Sequence, residues 1–266
     1  MMNYFADKFN AAKHAKQVND YVTTHYANEV AELVKNSRVF PDSGHPTPEN
    51  RPYLNDWDLT VVQETTADAI FRESENKIGK IAALNFASYK QPGGMFLEGS
   101  KAQEECLCHE SWLYPILSSQ RLREEFYEKN IRRLNRGTYH SNLIYTPDVP
   151  FVRGNSTVLA DVITCAAPNK RAAQKYCGVS DYEITVKMKE RIEAVLAAAA
   201  EMKADVLILG AFGCGVFGND LAEVCGIFKD FLYGKYVGCF KYVVFAIPDD
   251  PSVRTATVAL GFTTTV

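Results

Sequence analysis

Four short, almost wholly apolar runs recur along the chain, at residues 81–85, 158–164, 205–210 and 242–247. Each is too short for a buried helix, and longer stretches with helical spacing separate them. Continuous apolar strands alternating with helices are the pattern of a sheet covered on both faces, since neither face of such a strand can be left in water. The chain therefore reads as α/β. With 47% hydrophobic and 23% charged residues over 266 positions, it has the material for a sizeable core.

The rest of the pattern fits around these strands. Residues 59–62 and 143–146 read as further strands, and 66–73, 102–113, 121–130, 183–202 and 221–232 as helices, the 183–202 helix being alanine-rich at 195–200. Residues 7–35 predict one long helix, because Val18, Tyr21, Val22, Tyr26, Val30, Leu33 and Val34 recur at helical spacing. A breaker-rich stretch follows at 40–52, holding Pro41, Gly44, Pro46, Pro48 and Pro52. No repeat or low-complexity tract interrupts the chain. The organisation expected is an N-terminal helical extension over 1–55, packed on one α/β domain over 56–266.

Several function classes are set aside by composition. The net charge of −3, with no concentrated basic stretch, argues against tight binding to bare nucleic acid. No apolar run reaches the roughly 18 residues of a membrane span, and the first residues lack an apolar signal core, so a cytoplasmic protein is expected. The seven cysteines show no paired spacing, and Cys106-x-Cys108-His109 is a poor metal motif because its members do not converge on one ion. Reduced cysteines and no bound metal are expected.

Three loops follow strands directly, where ligands sit in such sheets. They are 85–99, with Gly93, Gly94 and Gly99; 210–219, with Gly210, Gly213, Gly215 and Gly218; and 164–169, without glycine. Glycines let the backbone approach a diphosphate closely and let successive N–H groups form an anion nest, although a tight turn alone would also account for Gly93-Gly94. The second loop matches neither the dinucleotide fingerprint nor a P-loop.

Directly after the first loop, Ser100-Lys101-Ala102-Gln103 has the form of a capping box, which predicts a helix starting at Lys101 or Ala102. Gln103, Glu104 and Glu105 then fall in its first turn. Acidic residues are favoured there by the helix dipole alone. Their position beside a phosphate-suited loop adds a functional reading, in which one acid holds sugar hydroxyls and the other titrates near neutrality.

Taken together, 85–88 (Asn-Phe-Ala-Ser), Pro92-Gly93-Gly94-Met95 and, after seven intervening residues, Gln103-Glu104-Glu105 resemble the signature of the microbial-type poly(ADP-ribose) glycohydrolases. The likeness continues through 107–111, 113–115, 145–150, 163–169 and 210–219, and so spans nearly the whole chain. It implies a macrodomain fold, a mixed sheet between helices, binding ADP-ribose or poly(ADP-ribose), free or attached to protein, without metal or cofactor and as a monomer. By position it implies Glu105 as the catalytic acid, then base, and Glu104 as its neighbour on the ribose hydroxyls. Gln103, Asn85, Ser88, Gly93, Gly94 and Met95 would line the catalytic side. Gly213, Cys214, Gly215, Val216 and Phe217 would form the diphosphate loop, with Phe217 on the distal ribose, and Glu64 would stand at the adenine end.

Met95 departs from the pattern, standing where the third glycine of the signature belongs. A left-handed backbone there would be costly for Met. That leaves open an ADP-ribose reader without hydrolysis, or a hydrolase of mono-ADP-ribose on protein or DNA, beside the glycohydrolase; a nucleotide-binding α/β protein of another kind is a further alternative. Tyr145, Phe151 and Trp112 read as core rather than cleft aromatics, Asp148 as a loop residue, Asp161 as a strand-edge residue, and His109 and His140 as structural.

Overall fold

The structure, a computed structural model, describes residues 2–43, 48 and 51–262. Gly44 and Pro46 of the breaker-rich stretch lie outside them. Seven strands form one sheet: β1 (Arg38–Phe40), β2 (Asp58–Val62), β3 (Ile81–Phe86), β4 (Leu143–Arg153), β5 (Ser156–Cys165), β6 (Val206–Leu209) and β7 (Tyr242–Ala246), in the order β1-β4-β5-β3-β6-β7-β2. The four apolar runs are the four adjacent strands β5, β3, β6 and β7, which run parallel together with β2. β4 and β1 add an antiparallel edge. The sheet is thus mixed, and all five parallel strands end on the same side of it.

Alternation along the strands divides the core in two. Ala82, Leu84, Leu207, Leu209, Val243 and Phe245 pack on one face. That face is covered by α9 (Asp181–Glu201), α10 (Leu221–Leu232) and α11 (Asp250–Leu260). Ile81, Ala83, Val206, Ile208 and Val244 point the other way. They meet α3 (Thr66–Asn76), α4 (Gln103–His109) and α5 (Leu113–Leu117), with α1 (Met2–His25) and α2 (Ala27–Asn36) outside them. The alanines of α9 let the helix lie close on the sheet, and Val195, Leu196, Ala198 and Ala199 are fully buried. Among the described residues no helix is long and apolar enough to cross a membrane.

Several expectations are corrected in detail. The single helix over 7–35 is broken at Tyr26, whose ring packs on Trp112 with centroids 4.4 Å apart. The helix over 102–113 stops at His109, because Ser111 leaves it to bridge Phe151 of β4. The 121–130 stretch is helical throughout but holds a π-turn at Arg123–Tyr127, between α6 (Gln120–Leu122) and α7 (Glu128–Ile131). Elements not anticipated include β1, a three-residue edge strand; α5, over Leu113–Leu117; α8 (Lys170–Cys177), which buries only Ala173; and α11, with Pro251 in its first turn. Segment 1–55 supplies β1 to the sheet as well as α1 and α2.

Asp161 is not a strand-edge residue. It is buried on the interior strand β5, where it accepts from the Tyr145 hydroxyl (2.5 Å) and from the Asp148 N–H (2.9 Å), with Lys80 at 3.5 Å. It thereby braces a register shift in β4 between Thr146 and Val149, where Asp148 has a left-handed φ of +53°. Tyr145 and Phe151 are core residues.

Candidate active site

The loops 85–99, 164–169 and 210–219 follow β3, β5 and β6, three neighbours, and so converge at the same edge of the sheet. The capping box expected at Ser100 is absent: Ala102 is the N-cap of α4, and no side chain caps it. Gln103 is engaged elsewhere. Its amide oxygen accepts from the Phe86 N–H (2.8 Å), and its nitrogen donates to Leu84 O (2.8 Å) and Thr66 Oγ1 (3.0 Å). Gln103 therefore clamps the start of α4 to the end of β3 through its amide.

That clamp delivers the two acids to the loop. Glu104 is buried. Its Oε2 accepts from the Ser88 N–H (2.7 Å) and its Oε1 from Asn85 Nδ2 (3.3 Å), which also reaches Thr164 Oγ1 (3.3 Å). Burial pushes the Glu104 carboxyl up to about 8, and the neighbouring Glu105 adds to the shift. Glu105 is buried as well but held differently: Oε1 accepts from the Met95 N–H (2.9 Å), while among the described residues Oε2 has no hydrogen-bond partner.

The glycines of the first loop are required by contact. Gly93 and Gly94 have φ of +65° and +58°. A Cβ on Gly94 would lie 2.5 Å from Glu105 Oε1 and 3.2 Å from Glu104 Oε2, and one on Gly93 would strike the Tyr114 ring at 2.6 Å. Met95 is not among the left-handed residues, and its side chain is half exposed. The position of the third glycine thus asks for neither a left-handed backbone nor a missing Cβ.

In the second loop, a Cβ on Gly213 would meet Ala167 at 2.4 Å and Asn219 Nδ2 at 2.7 Å. Asn219 stitches this loop to the third one, donating to Gly213 O and to Pro168 O, both at 2.9 Å. Cys214 is half-buried, its thiol pushed up to about 12 by burial, while Val216 projects into solvent and Gly215 has open space around it. Phe217 is half-buried beside Tyr139, and its carbonyl accepts from the Arg171 N–H (3.0 Å). Glu64 lies just past the end of β2, the parallel edge strand, with both carboxylate oxygens held by Arg72.

Thr66, Thr164, Tyr114 and Asn219 also hold the loops. Asn219 and Thr164 belong to the loops picked out in sequence and Tyr114 to the family likeness, but nothing in sequence marks Thr66 as part of the site. His109 packs against Phe96 and His14, and burial lowers it to about 4. His140 pairs with Asp42 (2.8 Å).

The model of the microbial-type PARG catalytic domain matches residues 6–154. Among solved structures, the chain is similar to poly(ADP-ribose) glycohydrolase from Thermomonospora curvata, with 31% identity and a TM-score of 0.81, over 95% of this chain and 98% of that one. The same enzyme bound to the inhibitor ADP-HPD gives 32% and 0.80 over the same shares. Poly(ADP-ribose) glycohydrolase from Deinococcus radiodurans in complex with ADP-ribose gives 34% and 0.75, over 87% of this chain and 96% of that one. No curated protein matches. With an acid pair on a glycine loop and this likeness over nearly its whole length, the chain belongs to the microbial-type poly(ADP-ribose) glycohydrolase family.

Proposed function

We propose that the protein hydrolyses the ribose–ribose O-glycosidic bonds of poly(ADP-ribose) and releases ADP-ribose, with Glu105 as general acid and then general base. The observation that carries this reading is the buried, unpartnered Oε2 of Glu105 beside the Gly93-Gly94 turn. A carboxyl oxygen without a protein donor is one free to face a reacting group.

In this mechanism Glu105 protonates the leaving ribose oxygen, charge develops at the anomeric carbon, and the carboxylate so formed takes a proton from the attacking water. Glu104 receives the ribose hydroxyls. Its raised pKa keeps the Glu104 carboxyl protonated at neutral pH. The loop of Gly213, Cys214, Gly215, Val216 and Phe217 receives the diphosphate on backbone N–H groups, with Phe217 against the distal ribose and Glu64 toward the adenine end. The ordinary backbone at Met95 removes the feature that had favoured a reader without hydrolysis.

The test is release of ADP-ribose from a poly(ADP-ribosyl)ated acceptor by the native protein and by Glu105→Gln. Loss of an acid–base group predicts a fall in kcat of at least about 100-fold with ADP-ribose binding retained. A native protein that binds ADP-ribose and releases none from the polymer would defeat the proposal.

A further inference from the structure

The loops around the site meet at one small aromatic cluster. Tyr89 comes from the loop after β3, Phe217 from the glycine loop after β6, Ala166 from the loop after β5, and Tyr139 from the segment leading into β4. The Tyr89 and Tyr139 rings are stacked, with centroids 4.1 Å apart and planes within 10° of parallel. Phe217 meets the Tyr139 ring edge-on at 6.1 Å.

Tyr139 reaches that place against its backbone preference. Its φ is +60°, and Asn135 (+44°), Arg136 (+53°) and Gly137 (+85°) just before it are left-handed too. A bulky residue in this region crowds its Cβ against the following carbonyl, and such conformations persist only where the surroundings impose them. The surroundings do so here. Asn135 Nδ2 donates to Tyr139 O (3.0 Å), the buried Arg191 donates to Thr138 O (2.9 Å), and Gly137 O accepts from the Asn169 N–H (3.0 Å) at the head of α8. A ring needed only to fill space could come from an unstrained position.

We infer that Tyr139 is a positioning residue for the reaction: its ring fixes the orientation of Phe217, and through Phe217 that of the ribose at the scissile bond. The inference rests on the proposed reading that the distal ribose packs on Phe217. Orientation of a reacting sugar is felt in rate more than in affinity, since the remaining contacts still hold the ligand.

The experiment places p-fluorophenylalanine at position 217 of the full chain and follows its ¹⁹F resonance with ADP-ribose bound, in native, Tyr139→Phe, Tyr139→Ala and Tyr139→Gly proteins. One sharp resonance is expected in native and Tyr139→Phe, with broadening or splitting in the other two. Glycine accepts the left-handed backbone, so Tyr139→Gly keeps the test usable if Tyr139→Ala does not fold. On the polymer, Tyr139→Ala or Tyr139→Gly should lose at least about 10-fold in kcat with the ADP-ribose Kd within about threefold. Either loss should largely vanish in a Phe217→Ala background, because residues acting as a unit are not additive. An unchanged resonance, or a loss that is fully additive with Phe217→Ala, overturns the inference. Inactivity of the native protein would count against hydrolysis, while the resonance would still decide the role of Tyr139.

Discussion

The backbone N–H of Met95 donates to Oε1 of Glu105 at 2.9 Å, so the residue that departs from the family's glycine signature also holds the candidate acid in place. It does so through its backbone, which any residue but proline can supply. With an ordinary φ and a half-exposed side chain, Met95 meets no demand that only glycine satisfies. Met95→Gly is therefore expected to leave kcat within about threefold and to lower stability by about 0.5–1 kcal/mol, as the unfolded chain gains freedom. Steady-state kinetics and denaturant titration check the two effects. A large gain in kcat would mean that Met95 hinders the site after all.

Gly94 presents the opposite case. It combines a φ of +58° with a Cβ position 2.5 Å from Glu105 Oε1, so Gly94→Ala strains the turn and drives a methyl group into the acid pair at once. Backbone strain of this kind costs about 1–3 kcal/mol. The displaced carboxylate should lower kcat by about 100-fold or more, since misplacement of a reacting group by about 1 Å suffices for that. Circular dichroism would establish that the variant is folded before its rate is compared with native.

Glu104 links the site to pH. Its folded pKa of about 8 lies above the ordinary carboxylate value, so its contribution to stability is fully present below about pH 4.5 and is lost as pH rises toward 8. At about 1.4 kcal/mol per unit, a shift of this size corresponds to roughly 5 kcal/mol. Glu104→Gln cannot ionise, and it should flatten this part of the stability–pH curve and make the protein more stable than native above pH 8. The same deprotonation of Glu104 should remove activity on the alkaline side, with an apparent pKa near 8. Calorimetric melts between pH 5 and 9 test the first expectation, and a kcat–pH profile tests the second. A native melting curve that rises from pH 5 to 8 with no difference from Glu104→Gln would count against the assignment.

What could be read from sequence is what short-range pattern encodes. The strands β3, β5, β6 and β7 announced themselves because strands buried on both faces must be continuously apolar. The loops that follow them were located for the same reason, and the spacing from Gly94 to Glu105 placed the acids next to the turn. What stayed hidden is imposed from a distance. The break at Tyr26 exists because its ring meets Trp112, and α8 carries little apolar pattern because it buries a single residue. Gln103 has the look of a cap, but the backbone of β3 competes for its amide and wins. Nothing local makes Asp161 an interior residue. It is placed there by Tyr145 and by the bulge at Asp148. Tyr139 is left-handed because groups far along the chain hold its segment, and no local motif records that.

Arg191 is one of those distant groups. It is fully buried on α9, and among the described residues no carboxylate pairs with it, its Nε and Nη1 lack hydrogen-bond partners, and Nη2 donates to Thr138 O. Burial lowers its pKa, the direction expected of a desolvated cation. A charge kept at that cost without a counter-ion is poor for stability, yet it grips the residue just before Tyr139. Arg191→Met fills similar volume without the charge, so global stability should stay within about 1 kcal/mol of native or rise. The segment from Asn135 to Tyr139 would lose its tie, and kcat should fall about 10-fold while ADP-ribose affinity is largely kept. Thermal melts together with kcat and KM for native, Arg191→Met and Arg191→Lys check this. Arg191→Lys should recover part of the rate, because it can still donate to Thr138 O. A large loss of stability in Arg191→Met with kcat unchanged would mean that Arg191 serves the fold and not the cleft.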